Sequence, residues 1–344
     1  MKVADKIRAF AKLGEELQEL AGSPDESFLA LCRSAFHQNG WFTGDNVRHA
    51  FESIGRSLQE SKLDKWLSAY GALPWPPAPG EGQKRVAVIM AGNVPAVGFH
   101  DFLCVLMSGH HFTGKLSADD RLLLPFIAER LAAIEPAFRD KIAFTEKQLP
   151  AIDAVIATGS NNTSRYFEYY FSGYPHIIRK NRNSAAILDG AETAAELEQL
   201  GGDIFRYFGL GCRNVSKLFV PEHYPFTEFF QAVYPYKTVL QNNKYANNYE
   251  YNRTIYLMSK TPLLDNNFLL LKEDIGMASP VGVLYYEYYR SSAHLKERLR
   301  QDKSSIQCLV SGHMKEAVPF GKAQCPELWD YADKVDTMKF LLSL

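Results

Sequence analysis

Apolar residues recur at three- and four-residue spacing from the start of the chain: Val3, Ile7, Phe10, Leu13, Leu17 and Leu20 predict an amphipathic helix. A further helix is predicted in "FTGDNVRHAFESIGRSL", where Thr43 is the capping residue and Val47, Ala50, Phe51 and Ile54 share one face. Residues 1 to about 70 therefore read as helical. The stretch "ALPWPPAPGEGQK", 72–84, is dense in proline and glycine and reads as a linker.

From Arg85 the pattern changes. "RVAVIMAG" is a short apolar run rich in β-branched residues and ending at glycine, as a buried parallel strand does. A helix in "VPAVGFHDFLCVLMSGH", a strand in "HFTGKLS" and a helix in "SADDRLLLPFIAERLAAI", with Ser117 as its cap, follow. "KIAFTE" and "DAVIATGS" read as strands, "NTSRYFEYYFSG" as a helix, "SAAILDG" as a strand and "AETAAELEQLGGDIFRYFG" as a helix. The alternation predicts an α/β fold with a doubly wound parallel sheet. Beyond the strand Val215–Pro221 the chain reads as irregular and polar through "QNNKYANNYEYNRT". It then offers strands at "FLLLKE", "VGVLYYEYY" and "SIQCLVSG", with a helix at "SAHLKERLRQ", as a second α/β lobe would.

Composition narrows the function classes. A net charge of −1 over 344 residues leaves no electrostatic footprint for nucleic acid or an anionic membrane surface. The five cysteines are an odd number, widely spread and without a CxxC pair, which argues against a disulfide framework and a zinc site. The amphipathic, charged N-terminus is not a signal peptide, and no apolar run approaches the roughly 20 residues that span a bilayer. The expected location is the cytoplasm, with reduced thiols.

Ligands bind a doubly wound sheet at the carboxyl ends of its strands. Two such ends stand out: "VIMAGNVP", with Gly92, Asn93 and Pro95, and "VIATGSNNTS", with Gly159 and Ser160 just before a helix. Backbone N–H groups at such a turn suit a phosphate, although a glycine after a strand is also an ordinary turn and the GxGxxG fingerprint is absent. Cys212, in "FGLGCRNVSKLFVPE", follows Gly209 and Gly211 at the mouth of a strand. Glycine neighbours give a thiol access and let a substrate approach the backbone, but spacing alone leaves an inert core cysteine open. The pair His110-His111 lacks an acid or third histidine at ligand spacing. Arg179, Lys180 and Arg182 form a basic cluster that is either a solvated edge or a contact for the phosphates of a ligand.

Taken in order, four segments resemble the aldehyde dehydrogenase superfamily, and within it the LuxC-type acyl-CoA reductases of short form. "AGNVPAVGFH" is similar to the segment whose asparagine donates to the oxyanion hole, which falls on Asn93. "FTGKLSADD" resembles the segment whose lysine meets the cofactor ribose, at Lys115, and "IATGSNNTS" the turn that meets the pyrophosphate, at Gly159 and Ser160. "GLGCRNVSKLFVPE" resembles the catalytic segment, with its nucleophile at Cys212. Past residue 225 the match thins to "KEDIG", where Glu273 takes the place of the glutamate that holds the nicotinamide ribose.

The resemblance implies a helical N-terminal segment, 1–75, packed on a dinucleotide-binding domain, 85–208, then a smaller catalytic domain, 209–320, and a tail, 321–344, returning to the first lobe. It also implies NADPH or NADH as cofactor and acyl-CoA, of fatty acyl type, as substrate, reduced to the aldehyde through a cysteine-linked acyl-enzyme. A homo-oligomer or a partner acyl-transfer enzyme fits the same family. Two departures matter. Hydrolytic members activate water with a glutamate upstream of the cysteine, yet no acid occurs between Gly173 and Leu188. Ala118 stands near where an acid binds the adenosine ribose 2′-OH, so a 2′-phosphate meets no repulsion there. The alternatives are reduction of an acyl-carrier-protein or acyl-phosphate substrate, and a non-catalytic subunit that binds nucleotide or acyl-CoA.

Overall fold

The computed structural model describes residues 1–71 and 82–344, so most of the expected linker lies outside the described residues. The chain divides into two compact units, Met1–Lys180 with Glu327–Leu344, and Asn181–Pro326.

The first unit opens on α1 (Val3–Gly22), α2 (Glu26–Gln38), α3 (Gly44–Ser57) and α4 (Glu60–Ser68). The apolar spacing of α1 buries Ile7, Phe10, Leu13, Leu17 and Leu20, and Thr43 caps α3 by accepting from the Asn46 N–H. Helices α1 and α3 cross at two glycines: a Cβ on Gly55 would stand 2.6 Å from the Gly14 carbonyl oxygen, so only hydrogen fits there. Then come β1 (Arg85–Ile89), α5 (Phe99–Met107), β2 (His111–Lys115), α6 (Leu123–Ile134), β3 (Ile142–Thr145), β4 (Ala154–Thr158), α7 (Asn161–Tyr170) and β5 (His176–Arg179).

These strands form one parallel sheet in the order β3-β2-β1-β4-β5. The chain winds outward one way from β1 to β3 and the other way to β5, the doubly wound topology that the alternation predicts. Val86, Ala87 and Val88 of the central strand are buried, as a strand covered on both faces requires. Phe10, Phe28 and Phe51 of the N-terminal helices share one core with Phe102, Phe112 and Ile156, so the N-terminal segment is built into this unit. The cap of α6 differs from expectation. The helix starts at Leu123, where the Asp120 carboxylate accepts the Leu123 N–H, while the Ser117 hydroxyl accepts from Asp119.

Two buried charged groups tie this unit together. Lys6 Nζ donates to the carbonyls of Leu106 and Met107, both at 2.9 Å, and so closes the C-terminus of α5. Its burial, aided by the nearby Lys141 charge, pulls its pKa down to about 8. Arg179 at the end of β5 forms a bidentate pair with Asp101 on α5, at 2.6 and 2.8 Å, and donates to Thr337 Oγ1 at 2.9 Å. The expected basic cluster is thereby taken apart: Arg179 is buried in this pair and Lys180 bridges to Glu168.

The second unit holds β6 (Asn183–Ile187), α8 (Ala194–Phe205), β7 (Val215–Pro221), α9 (Phe226–Val233), α10 (Asn243–Met258), β8 (Leu264–Asp265), β9 (Leu270–Glu273), β10 (Val283–Tyr289), α11 (Ser292–Gln301) and β11 (Ile306–Val310). Its sheet runs β11-β6-β7-β10-β9-β8, parallel apart from the last pair. Because β6 pairs with β7 and β11, this unit starts at Asn181, ahead of the expected boundary at 208. The polar stretch that reads as irregular is the helix α10, capped by Asn242. Tyr245 and Tyr249, one turn apart, supply its buried face. Asn248 and Asn252 bond the carbonyls four residues back.

The last segment, Glu327–Leu344, belongs to the first unit and ends in α12 (Thr337–Leu342). Trp66 Nε1 donates to the Tyr331 hydroxyl at 2.6 Å, and Tyr70 donates to Asp336 at 2.9 Å. Among the described residues no helix is long and apolar enough to cross a membrane.

Candidate active site

In the first unit the register sets Ile89 level with Lys115 on one side and Ala157 on the other. The loop after β1, the end of β2 and the turn after β4 therefore leave the same, carboxyl, edge of the sheet. Asn93, Lys115 and the Gly159-Ser160 turn all lie along that edge, at three neighbouring strand ends. Asn93 is exposed in the loop between β1 and α5. Lys115 Nζ donates to the Glu146 carbonyl. Ser160 caps α7, its hydroxyl accepting the Thr163 N–H at 3.2 Å, and leaves the start of a ten-residue helix at the edge. A Cβ on Gly159 would stand 3.0–3.1 Å from the side chains of Thr163 and Phe167, which would have to give by a few tenths of an ångström. A helix N-terminus behind a glycine turn is a place where an anion such as a phosphate can be held.

The loop that carries Asn93 is held by residues not marked by the sequence. Asn39, buried at the end of α2, donates through Nδ2 to the Gly92 carbonyl at 3.3 Å, and its neighbour Gln38 donates to the Ala118 carbonyl, in the separate loop after β2, at 2.8 Å. Asp120, also buried, accepts the Ala96 N–H at 2.8 Å, where Ala96 holds a left-handed φ of 53°. Burial raises the Asp120 carboxyl to a pKa of about 6. Contacts between residues so far apart in sequence leave no spacing to read.

In the second unit Cys212 is exposed, in the turn that leads into β7. The helix α8 ends at Phe205, and Tyr207, Phe208 and Gly209 then take left-handed conformations, with φ of 52°, 57° and 77°. The glycine is at ease there, but each of the two aromatic residues costs about 1–3 kcal/mol of strain. Their burial holds them in place. The expectation that α8 reaches Phe208 is thus corrected: a left-handed turn, not helix, delivers the cysteine.

The other cysteines sit differently. Cys32 and Cys104 are buried, Cys308 is half-buried and Cys325 is exposed. Burial pushes the Cys104 thiol well above the usual thiol range and raises Cys32 too, so both are poor nucleophiles. Glu273 ends β9, level through Tyr286 with Leu218, whereas Cys212 precedes β7 at Val215. The register therefore sets them at different levels of the sheet, two strands apart. The loop after Glu273 is anchored by Lys217, a fully buried lysine on β7 that donates to the Asp274 carbonyl and pairs with Glu287 at 2.8 Å.

His110 shows why the histidine pair is structural. Its Nδ1 accepts the Lys84 N–H, so Nε2 carries the proton and donates to the Leu341 carbonyl at 2.9 Å. Among the described residues no three histidine, cysteine or acidic side chains form a metal-binding group.

Solved structures with the same fold are aldehyde dehydrogenases. That of aldehyde dehydrogenase 21 from Physcomitrella patens, solved with the reaction product succinate, superposes with a TM-score of 0.68 at 12% identity, over 100% of this chain and 84% of that one. The Mycobacterium tuberculosis aldehyde dehydrogenase complexed with NAD+ gives 0.61 at 15% identity, over 90% and 73%. An NAD+ complex from Bacillus cereus gives 0.60 at 13%, over 90% and 72%. No curated protein sequence matches the chain. Residues 62–238 match the family model described as acyl-CoA reductase (LuxC), a span that takes in Asn93, Lys115, Gly159, Ser160 and Cys212 and stops short of Glu273. With more than half of its length matched on an aldehyde-dehydrogenase fold, the chain belongs to the acyl-CoA reductase (LuxC) family and is an oxidoreductase of aldehyde chemistry.

Proposed function

We propose that this protein reduces an acyl-CoA thioester, of fatty acyl type, to the aldehyde, with Cys212 as the nucleophile. The observation that carries the reading is Cys212 itself: it is exposed, on a tightly held turn, inside the segment matched to the acyl-CoA reductase family. A nicotinamide dinucleotide supplies the hydride when bound. Lys115, Gly159 and Ser160 are the residues proposed to hold it, Glu273 is a further candidate for its ribose, and the relatives solved with NAD+ support that class of cofactor. With alanine at 118, NADPH is the proposed form, NADH being admitted by the same edge.

The Cys212 thiolate attacks the thioester carbonyl, and the charge that develops on oxygen is met by the Asn93 side-chain amide and the Cys212 N–H. Coenzyme A departs as its thiolate, and the acyl group stays on the Cys212 sulfur. Once the acyl carbon is reduced, the thiohemiacetal oxyanion collapses, the carbon–sulfur bond breaks and the aldehyde leaves with the thiolate restored. Water is a poor competitor, because the segment where hydrolytic relatives keep their general base, 173–188, has no acid. Incubation with a long-chain acyl-CoA and no nicotinamide, followed by intact mass, is expected to show one acyl adduct that Cys212→Ala abolishes. An adduct that persists in Cys212→Ala would sink the assignment.

A further inference from the structure

We infer that Ser184 and Asn214, two buried polar side chains beside Cys212, are positioning residues for the nucleophile. The inference rests on the proposed role of Cys212. Ser184 on β6 is 0% exposed and Asn214 is 1% exposed, and both point their polar atoms at the backbone of the Cys212 turn. The Ser184 hydroxyl donates to the Cys212 carbonyl at 3.0 Å. It accepts the Cys308 N–H at 3.2 Å, and the Cys308 thiol lies 3.0 Å away. Since the single hydroxyl proton goes to the Cys212 carbonyl, the Cys308 thiol is the donor in that last contact.

Asn214 works on the other side of the cysteine. Its Oδ1 accepts the Gly211 N–H at 2.8 Å, and its own N–H donates to the Gly211 carbonyl at 3.0 Å. Its Nδ2, with two hydrogens of which one is shared, donates to the carbonyls of Asp203, Ile204 and Arg206 at 3.0, 3.3 and 2.8 Å, where α8 gives way to the left-handed turn. Two peptide planes flank the Cys212 Cα. The Asn214 backbone N–H holds the one before it through the Gly211 carbonyl, its side chain holds the Gly211 N–H one peptide further back, and Ser184 fixes the one after it through the Cys212 carbonyl. In a trans peptide the N–H points opposite to the carbonyl, so the Cys212 N–H is aimed away from the turn. With both planes held, the Cα–Cβ direction is set as well, and the sulfur of the exposed cysteine is left only the staggered positions about χ1. A small angular error at an attacking atom costs rate and leaves binding alone, which separates this role from a merely structural one.

The test is single-turnover acyl transfer from a long-chain acyl-CoA to the enzyme without nicotinamide, beside thermal unfolding. Ser184→Ala is expected to slow acylation on the order of tenfold to a hundredfold in protein that stays folded at the assay temperature, with acyl-CoA affinity changed less than about twofold and the unfolding midpoint lowered because the Cys308 N–H loses its acceptor. Ser184→Thr, which keeps the hydroxyl, recovers most of the rate. Asn214→Asp keeps the acceptor for Gly211, loses the Nδ2 donations and sets a carboxylate against those carbonyls, so it slows acylation and also lowers the unfolding midpoint. Acylation at the wild-type rate in both Ser184→Ala and Asn214→Asp, with Cys212→Ala inert, overturns the positioning role and leaves the nucleophile standing. An adduct that survives in Cys212→Ala, or fails to form on the wild-type protein, removes both.

Discussion

Replacing Asp101 with asparagine isolates the largest single electrostatic commitment in the first unit. The Asp101 and Arg179 side chains keep only 8% and 7% of their surface, and their two contacts, at 2.6 and 2.8 Å, use both carboxylate oxygens. Asparagine preserves the shape but leaves the guanidinium buried beside a neutral amide that presents one acceptor in place of two. Removing one partner of a buried pair costs about 3–5 kcal/mol, because the remaining charge loses its bonded counterion in a site closed to solvent. In a unit of about 200 residues this lowers the unfolding midpoint by roughly 6–20 °C. Calorimetry or denaturant titration followed by circular dichroism reads the loss. The companion variant Asp101→Leu with Arg179→Met replaces both charges with apolar groups, and is expected to recover most of the stability because the pair's attraction nearly cancels its desolvation. A single-variant loss below about 1 kcal/mol would refute the argument, since it would mean that solvent or another group neutralises Arg179. So would a double variant as unstable as the single one.

Asp120→Asn tests the support beneath the Asn93 loop. Burial lifts the Asp120 carboxyl to a pKa of about 6 from an unfolded value of 3.8, so the folded protein binds the proton more tightly than the unfolded chain. This group therefore makes the wild type more stable as pH falls from 7 towards 4, by on the order of 2 kcal/mol, and Asp120→Asn is expected to lack that gain. Denaturant midpoints for both proteins at pH 7 and pH 4.5 measure it, and parallel curves would reject the assignment. Asn93→Ala removes an exposed side chain, so its unfolding midpoint is expected to stay put while turnover falls on the order of a hundredfold, equivalent to about 3 kcal/mol in the barrier. Steady-state kinetics with acyl-CoA decides, and unchanged kcat would remove Asn93 from the oxyanion site.

Much of the first unit was legible because its signals are local. Strands such as Arg85–Ile89 are short apolar runs with glycine close behind, and α1 shows its buried stripe in the spacing of its leucines. The misreadings fall where the deciding contacts are distant. β6 looks like any strand of the first sheet, and only its pairing with β7 and β11 moves it to the second. α10 shows no periodic apolar face: Tyr245 and Tyr249 are its buried side chains, Tyr251, Ile255, Leu257 and Met258 are exposed, and Asn248 and Asn252 bond carbonyls four residues back. The candidate residues Asn93, Lys115, Gly159, Ser160 and Cys212 were legible through resemblance in ordered segments. Their supports were not, since nothing in the spacing of Asn39, Asp120, Ser184 or Asn214 points to what they hold.

Those supports follow one physical rule in both units. A group that must meet a substrate stays exposed, so packing cannot hold it in place as packing holds a core side chain. Its backbone must then be fixed from below, by side chains that are themselves buried and fully bonded. Asp120 does this for the loop of Asn93, taking the N–H of the left-handed Ala96. Asn214 does it for the turn of Cys212, collecting the carbonyls around the left-handed Tyr207 and Phe208. In each place non-glycine residues sit in a strained conformation that a flexible loop would relax, and a buried polar side chain accounts for the persistence of that strain. Burying such a group costs several kcal/mol unless every polar atom finds a partner. The bonding around Asp120, Ser184 and Asn214 meets that condition at the two places where the proposed chemistry asks an exposed side chain to stay still.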